Sequence, residues 1–75
     1  MITKESLGRA IADFREKGGR TQEELAIQSD TPLPTLRSWE QGRAVPSAVG
    51  LHKIAKALNI DSNKILIRAD ELGPE

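Results

Sequence analysis

Signals that stop a helix are spaced so closely along this chain that only short helices fit between them. They fall at Gly18-Gly19, along Asp30-Thr31-Pro32-Leu33-Pro34, at Gly42, at Asn59-Ile60 and at Gly73-Pro74. A proline removes a backbone donor and clashes with the preceding turn, and glycine supplies the left-handed residue on which helices commonly end. No apolar run approaches the roughly 18–20 residues needed to span a bilayer. Between the stops, apolar residues recur at three- and four-residue intervals, the period of a helix with one buried face.

Five such segments follow one another. Leu7, Ala10, Ile11 and Phe14 form the first stripe, ending at Gly18-Gly19. Thr21-Gln22-Glu23-Glu24 has the spacing of a capping box, in which the Thr21 hydroxyl accepts from the Glu24 amide and the Glu24 carboxylate from the Thr21 amide. It opens a second helix with Leu25 and Ala26 inward, which must end before Pro32. Leu36 and Trp39 mark a third, from about Pro34 to Gly42. Ser47 is the expected N-cap of a fourth helix carrying Leu51, Ile54, Ala55 and Leu58. Asp61 or Ser62 caps a fifth with Ile65, Leu66, Ala69 and Leu72. No segment alternates with period two and carries β-branched residues, so an all-α, five-helix orthogonal bundle is expected. Residues 1–75 are read as one domain, with its core at about 5–72 and a helix-turn-helix at about 21–42.

Composition narrows the function. With no cysteine and His52 as the only histidine, the chain has no thiolate metal site and no histidine pair for acid–base work. No nucleophile–histidine pair or glycine-rich phosphate loop is present, so neither an enzyme nor a cofactor is expected. The N-terminus lacks a signal-peptide core, and a cytoplasmic protein without membrane contact is expected. Eleven Lys and Arg balance eleven Asp and Glu, although Asp61, Asp70, Glu71 and Glu75 crowd the end and leave the first sixty residues a small positive surplus. That balance permits nucleic-acid binding but predicts weak nonspecific affinity.

Residues at fixed spacing add a resemblance. Thr21-Gln22-Glu23-Glu24-Leu25-Ala26, then Leu36-Arg37-Ser38-Trp39-Glu40-Gln41-Gly42-Arg43, Pro46-Ser47, and Leu51-His52-Lys53-Ile54-Ala55-Lys56-Ala57-Leu58-Asn59-Ile60 resemble the Cro/CI-type (XRE) helix-turn-helix family, the DNA-binding domains of phage repressors. The resemblance spans roughly Leu7 to Leu66. It implies a lambda-repressor-like fold and a sequence-specific transcriptional regulator, a repressor in particular. Its partner would be double-stranded DNA with a palindromic operator, bound as a homodimer. Matched position by position, Gln22 would touch a phosphate and brace the recognition helix, and Arg15 and Glu40 would form a salt bridge between the first and third helices. Thr21, Gln41 and Arg43 would lie along phosphates.

Helix geometry supplies the reading face. If Leu36, Trp39 and Glu40 point inward, Leu33, Pro34, Arg37, Ser38 and Gln41 turn outward. Arg37 suits a two-bonded contact to guanine, Ser38 bonds to several bases, and Leu33 packs on a thymine methyl. Pro34 disfavours the helical state of Leu33, which predicts a third helix starting one turn late. Asp30 stands where the family usually has glycine, a mild change because Asp tolerates the left-handed conformation. An outward Leu33-Pro34 knob also allows a second function: a protein-interaction or antitoxin-like regulatory module that keeps the fold with weak DNA affinity. Ile67 or Leu72 of the fifth helix would then, or in a DNA-bound dimer, form a subunit contact.

Overall fold

The computed structural model describes residues 1–73 as five helices. They are α1 (Lys4–Lys17), α2 (Gln22–Gln28), α3 (Leu33–Glu40), α4 (Ala48–Ala57) and α5 (Ser62–Leu72). Short polar side chains open four of them. Thr3 and Ser6 make a capping box on α1, Thr21 and Glu24 another on α2, and Ser47 and Asp61 accept from first-turn amides of α4 and α5. Reading the first helix only from Leu7 misses the Thr3–Ser6 box, whose hydroxyl partner is a less familiar variant of the usual Glu or Gln.

One stop device closes four helices in succession. Gly19, Asp30, Gly42 and Asn59 have φ of 70°, 52°, 74° and 59° and sit just past the ends of α1, α2, α3 and α4. In each case the amide of the following residue reaches back across the last turn: Arg20 to Arg15, Thr31 to Ala26, Arg43 to Ser38 and Ile60 to Ala55, all at 2.9–3.1 Å. These bonds satisfy carbonyls that the helix end leaves free, and the left-handed residue swings the chain sharply away. That swing lets helices so short turn back onto one core.

The third helix begins at Leu33, not a turn later as Pro34 suggests. Pro32 is the N-cap and Pro34 the second helical residue, where an amide has no intrahelical acceptor, so the ring costs no hydrogen bond. The steric penalty on Leu33 is overcome by the packing of that side chain against the core.

Each helix drives one branched aliphatic residue fully into the interior: Ile11, Leu25, Leu36, Ile54 and Ile65. Burial of one such side chain stabilises by roughly 1.5–3 kcal/mol relative to exposure. Around them Leu7, Ala10, Ala26, Trp39, Leu51, Ala55, Leu58 and Ala69 complete the buried cluster. Trp39 is seated by two glycines. A Cβ on Gly50 would lie 2.7 Å from Trp39 Cη2, and one on Gly8 would overlap the Trp39 carbonyl oxygen and come within 2.8 Å of that of Glu40. Gly8 thus lets the C-terminal turn of α3 rest directly on α1, and Gly50 lets the indole slide beneath α4. Among the described residues, no helix is long and apolar enough to cross a membrane, and no group of three or more His, Asp or Glu side chains is placed to hold a metal ion.

Candidate nucleic-acid interface

The turn between α2 and α3 sets the angle of the candidate reading helix. Asp30 supplies the left-handed step, and inside the turn the Ser29 hydroxyl donates to the Leu25 carbonyl at 2.6 Å and lies 3.0 Å from Thr31 Oγ1. Both Ser29 and Thr31 are buried. Their hydroxyls therefore have partners in place of water, and the turn has little freedom to flex.

From the other end α3 is held by its last residue. The Glu40 carboxylate accepts from Arg15 Nε at 2.8 Å, from Arg15 Nη2 at 3.0 Å and from Gln22 Nε2 at 2.9 Å. Arg15 also donates from Nη1 to the Arg20 carbonyl at 3.0 Å. The side chains of Glu40 and Arg15 are 5% and 13% exposed, so the pair is nearly out of water and a planar two-bonded fork fixes its orientation. Hydrogen bonding to Glu40 holds the guanidinium pKa above its ordinary value, against the opposing pull of desolvation. One carboxylate at the end of α3 thereby ties together α1 and the start of α2.

Around α3 the inward and outward positions separate as helix geometry requires. Leu36 and Trp39 are buried, whereas Pro34, Arg37 and Gln41 are exposed. Ser38 is half-buried. Leu33 differs from its expected place: it is half-buried against the core, so it forms no free knob. It instead lines a shallow groove with Glu23, Ala26, Ile27, Asp30, Thr31 and Pro32. The exposed apolar residue of that groove is Ile27, at 81%. Period alone does not place Ile27, which follows the two core residues Leu25 and Ala26 but turns outward.

The candidate phosphate-facing residues flank this surface. Thr21 is exposed, but its amide is taken by Glu24 Oε1 at 2.8 Å, leaving the α2 start with the amides of Gln22 and Glu23 as donors. Gln22 is half-buried and spends one amide hydrogen on Glu40. Arg43 is exposed in the loop that leaves α3, close in sequence to Gln41. His52 is exposed on α4. A residue absent from the expected set also lies here: Glu23 Oε2 stands 3.7 Å from Arg37 Nη2, with the two side chains 62% and 49% exposed. Their separation in the sequence gave no hint of the pairing, since it arises from the crossing of α2 over α3.

Comparison with known proteins agrees with this geometry. A family model described as helix-turn-helix matches residues 11–65. The uncharacterized HTH-type transcriptional regulator y4dJ of Sinorhizobium fredii is 31% identical over 71 residues, covering 95% of this chain and 92% of that protein. The competence pilus inhibition repressor of Acinetobacter baylyi is 32% identical over 69 residues, 92% of this chain and 63% of that one. The crystal structure of the clp gene regulator ClgR from Corynebacterium glutamicum superimposes with a TM-score of 0.87 at 34% identity, over 91% of this chain and 72% of that one. The chain therefore belongs to the XRE-type helix-turn-helix family of transcriptional regulators.

Proposed function

We propose that this protein is a sequence-specific DNA-binding regulator that inserts α3 into the major groove and acts without chemistry. The observation that carries the reading is the division of α3: Leu36 and Trp39 are sealed in the core, while Arg37 stands on the opposite, open side of a helix braced at both ends. An α-helix fits the major groove, and side chains that read base edges must be held still to discriminate among them. Arg37 serves a guanine, Ser38 and Pro34 lie against neighbouring base edges, and Leu33 contributes at most the tip of its side chain to a thymine methyl. Thr21, Gln22, Gln41 and Arg43 border the groove where phosphates run.

Repression is the regulatory sense we assign, because occupying a promoter suffices to exclude polymerase and the similar Acinetobacter protein is a repressor by name. A domain this small gains affinity as a dimer on half-sites about 34–36 Å apart. On α5, Ile67 is 60% exposed and offers an apolar subunit contact, whereas Leu72 packs against the core.

Selection from a random duplex pool, followed by binding measurements over a salt series, tests the proposal. An enriched palindrome, an affinity that falls steeply with salt, and a loss of about 1–3 kcal/mol of operator binding in Arg37→Ala are expected. A pool that stays random overturns it. One observation favours a second reading, a protein-docking module: the exposed Ile27 beside Leu33 and Pro32. Under it, Ile27→Asp or Leu33→Asp abolishes a protein complex and no duplex is retained.

A further inference from the structure

We propose that Glu23 is a specificity-determining residue that acts with Arg37 to read two adjacent base pairs; the inference rests on the DNA-binding reading above. Arg37 is the only basic residue of α3. It is also the outward cation that would meet guanine, and the carboxylate nearest to it comes from the neighbouring helix. The 3.7 Å separation is an ion pair without a tight hydrogen bond, and both groups are about half or more in water. Such pairs are weak, so DNA can draw the guanidinium away at little cost. The carboxylate cannot follow it onto a guanine, whose major-groove edge presents only acceptors at N7 and O6.

What remains available to Glu23 is restricted by charge. An ionised carboxylate only accepts, so beside the guanine it tolerates a base with an exocyclic amino group, cytosine N4 or adenine N6, and opposes thymine O4 or a second guanine. It also opposes any binding mode that lays Arg37 along a phosphate, since that brings Glu23 toward the same negative charge. Glu23 therefore lowers nonspecific affinity while leaving the correct site nearly untouched. The specificity ratio rises by that difference.

Glu23→Gln is the informative variant, because Gln both donates and accepts and no longer excludes acceptor-bearing bases. The side chain is exposed, so the fold is retained, and a thermal melt checks it. Random duplex selection is run on wild type, Glu23→Gln and Arg37→Ala in parallel, with anisotropy titrations on the winning duplex and on a scrambled one. The account predicts that Glu23→Gln keeps the guanine but loses the amino-base preference beside it, and binds the scrambled duplex about five-fold more tightly, the scale of one exposed ion pair. Arg37→Ala loses both preferences. If wild type selects a site and Glu23→Gln selects the same one with undiminished discrimination, the inference is wrong and DNA binding stands. If wild type selects nothing, the DNA-binding reading fails, and the inference with it.

Discussion

Replacing Glu40 by alanine removes the acceptor of three hydrogen bonds and leaves Arg15 charged and almost out of water. Breaking a buried ion pair from one side costs roughly 3–5 kcal/mol, against at most about 1 kcal/mol for an exposed pair. Arg15 keeps its bond to the Arg20 carbonyl and lies 3.7 Å from Glu16, so the low end of that range applies, about 3 kcal/mol. For a domain of this size that corresponds to a fall in Tm of roughly 12–24 °C. The assay is thermal unfolding followed by far-UV circular dichroism, run on Glu40→Ala, Arg15→Met and the double variant Arg15→Met/Glu40→Leu. The double variant should recover most of the loss, because a well-packed apolar pair of similar volume avoids the desolvation of two charges. It should still bind the operator more weakly than wild type, since an apolar contact does not fix the angle of α3 as the fork does. A Glu40→Ala shift of only a few degrees would refute the reasoning. So would equal losses in the single and double variants, since the pair would then not be buried and coupled.

Gly8→Ala should destabilise although alanine is the better helix former: the propensity gain is about 0.5–1 kcal/mol. The added methyl meets the backbone of α3, at a cost of about 1–3 kcal/mol that denaturant unfolding would register as a lower midpoint. Gly50→Ala should act in the same direction by displacing the indole of Trp39, and should also shift its fluorescence. Glu24 makes a pH prediction. Bonds from the Thr21 backbone amide and hydroxyl hold its carboxyl below the ordinary 4.5 in the folded state. A depressed folded pKa stabilises above the unfolded value and loses that stabilisation as pH falls through the folded one. Glu24→Gln should therefore flatten the stability profile on the acid side of 4.5 and leave its slope at neutral pH unchanged, in urea midpoints measured across that range.

Helix number, the caps of α2, α4 and α5 and the inward faces are legible in the chain because each is a local decision, whereas the Thr3–Ser6 box lies outside the apolar stripe. Thr21-Gln22-Glu23-Glu24 specifies a helix start by spacing alone, and Asp30 and Asn59 take the left-handed step in positions that glycine often fills. The start of α3 is not local: Pro34 acts on one residue, while the packing of the half-buried Leu33 against a core built from all five helices sets where the helix begins. Ile27 and Glu23 escaped for a related reason. Exposure of an apolar side chain and pairing of charges fourteen positions apart depend on how α2 crosses α3, and no period in the sequence encodes that crossing.

The central claim is that the Arg37 side of α3 is where DNA sits. Amide chemical shifts recorded while the selected duplex is titrated into labelled protein test it most directly. The account predicts the largest changes at Gln22, Arg37, Ser38, Gln41 and Arg43, with any change on α5 confined to the subunit face around Ile67. Changes concentrated on α5 with α3 undisturbed would contradict it.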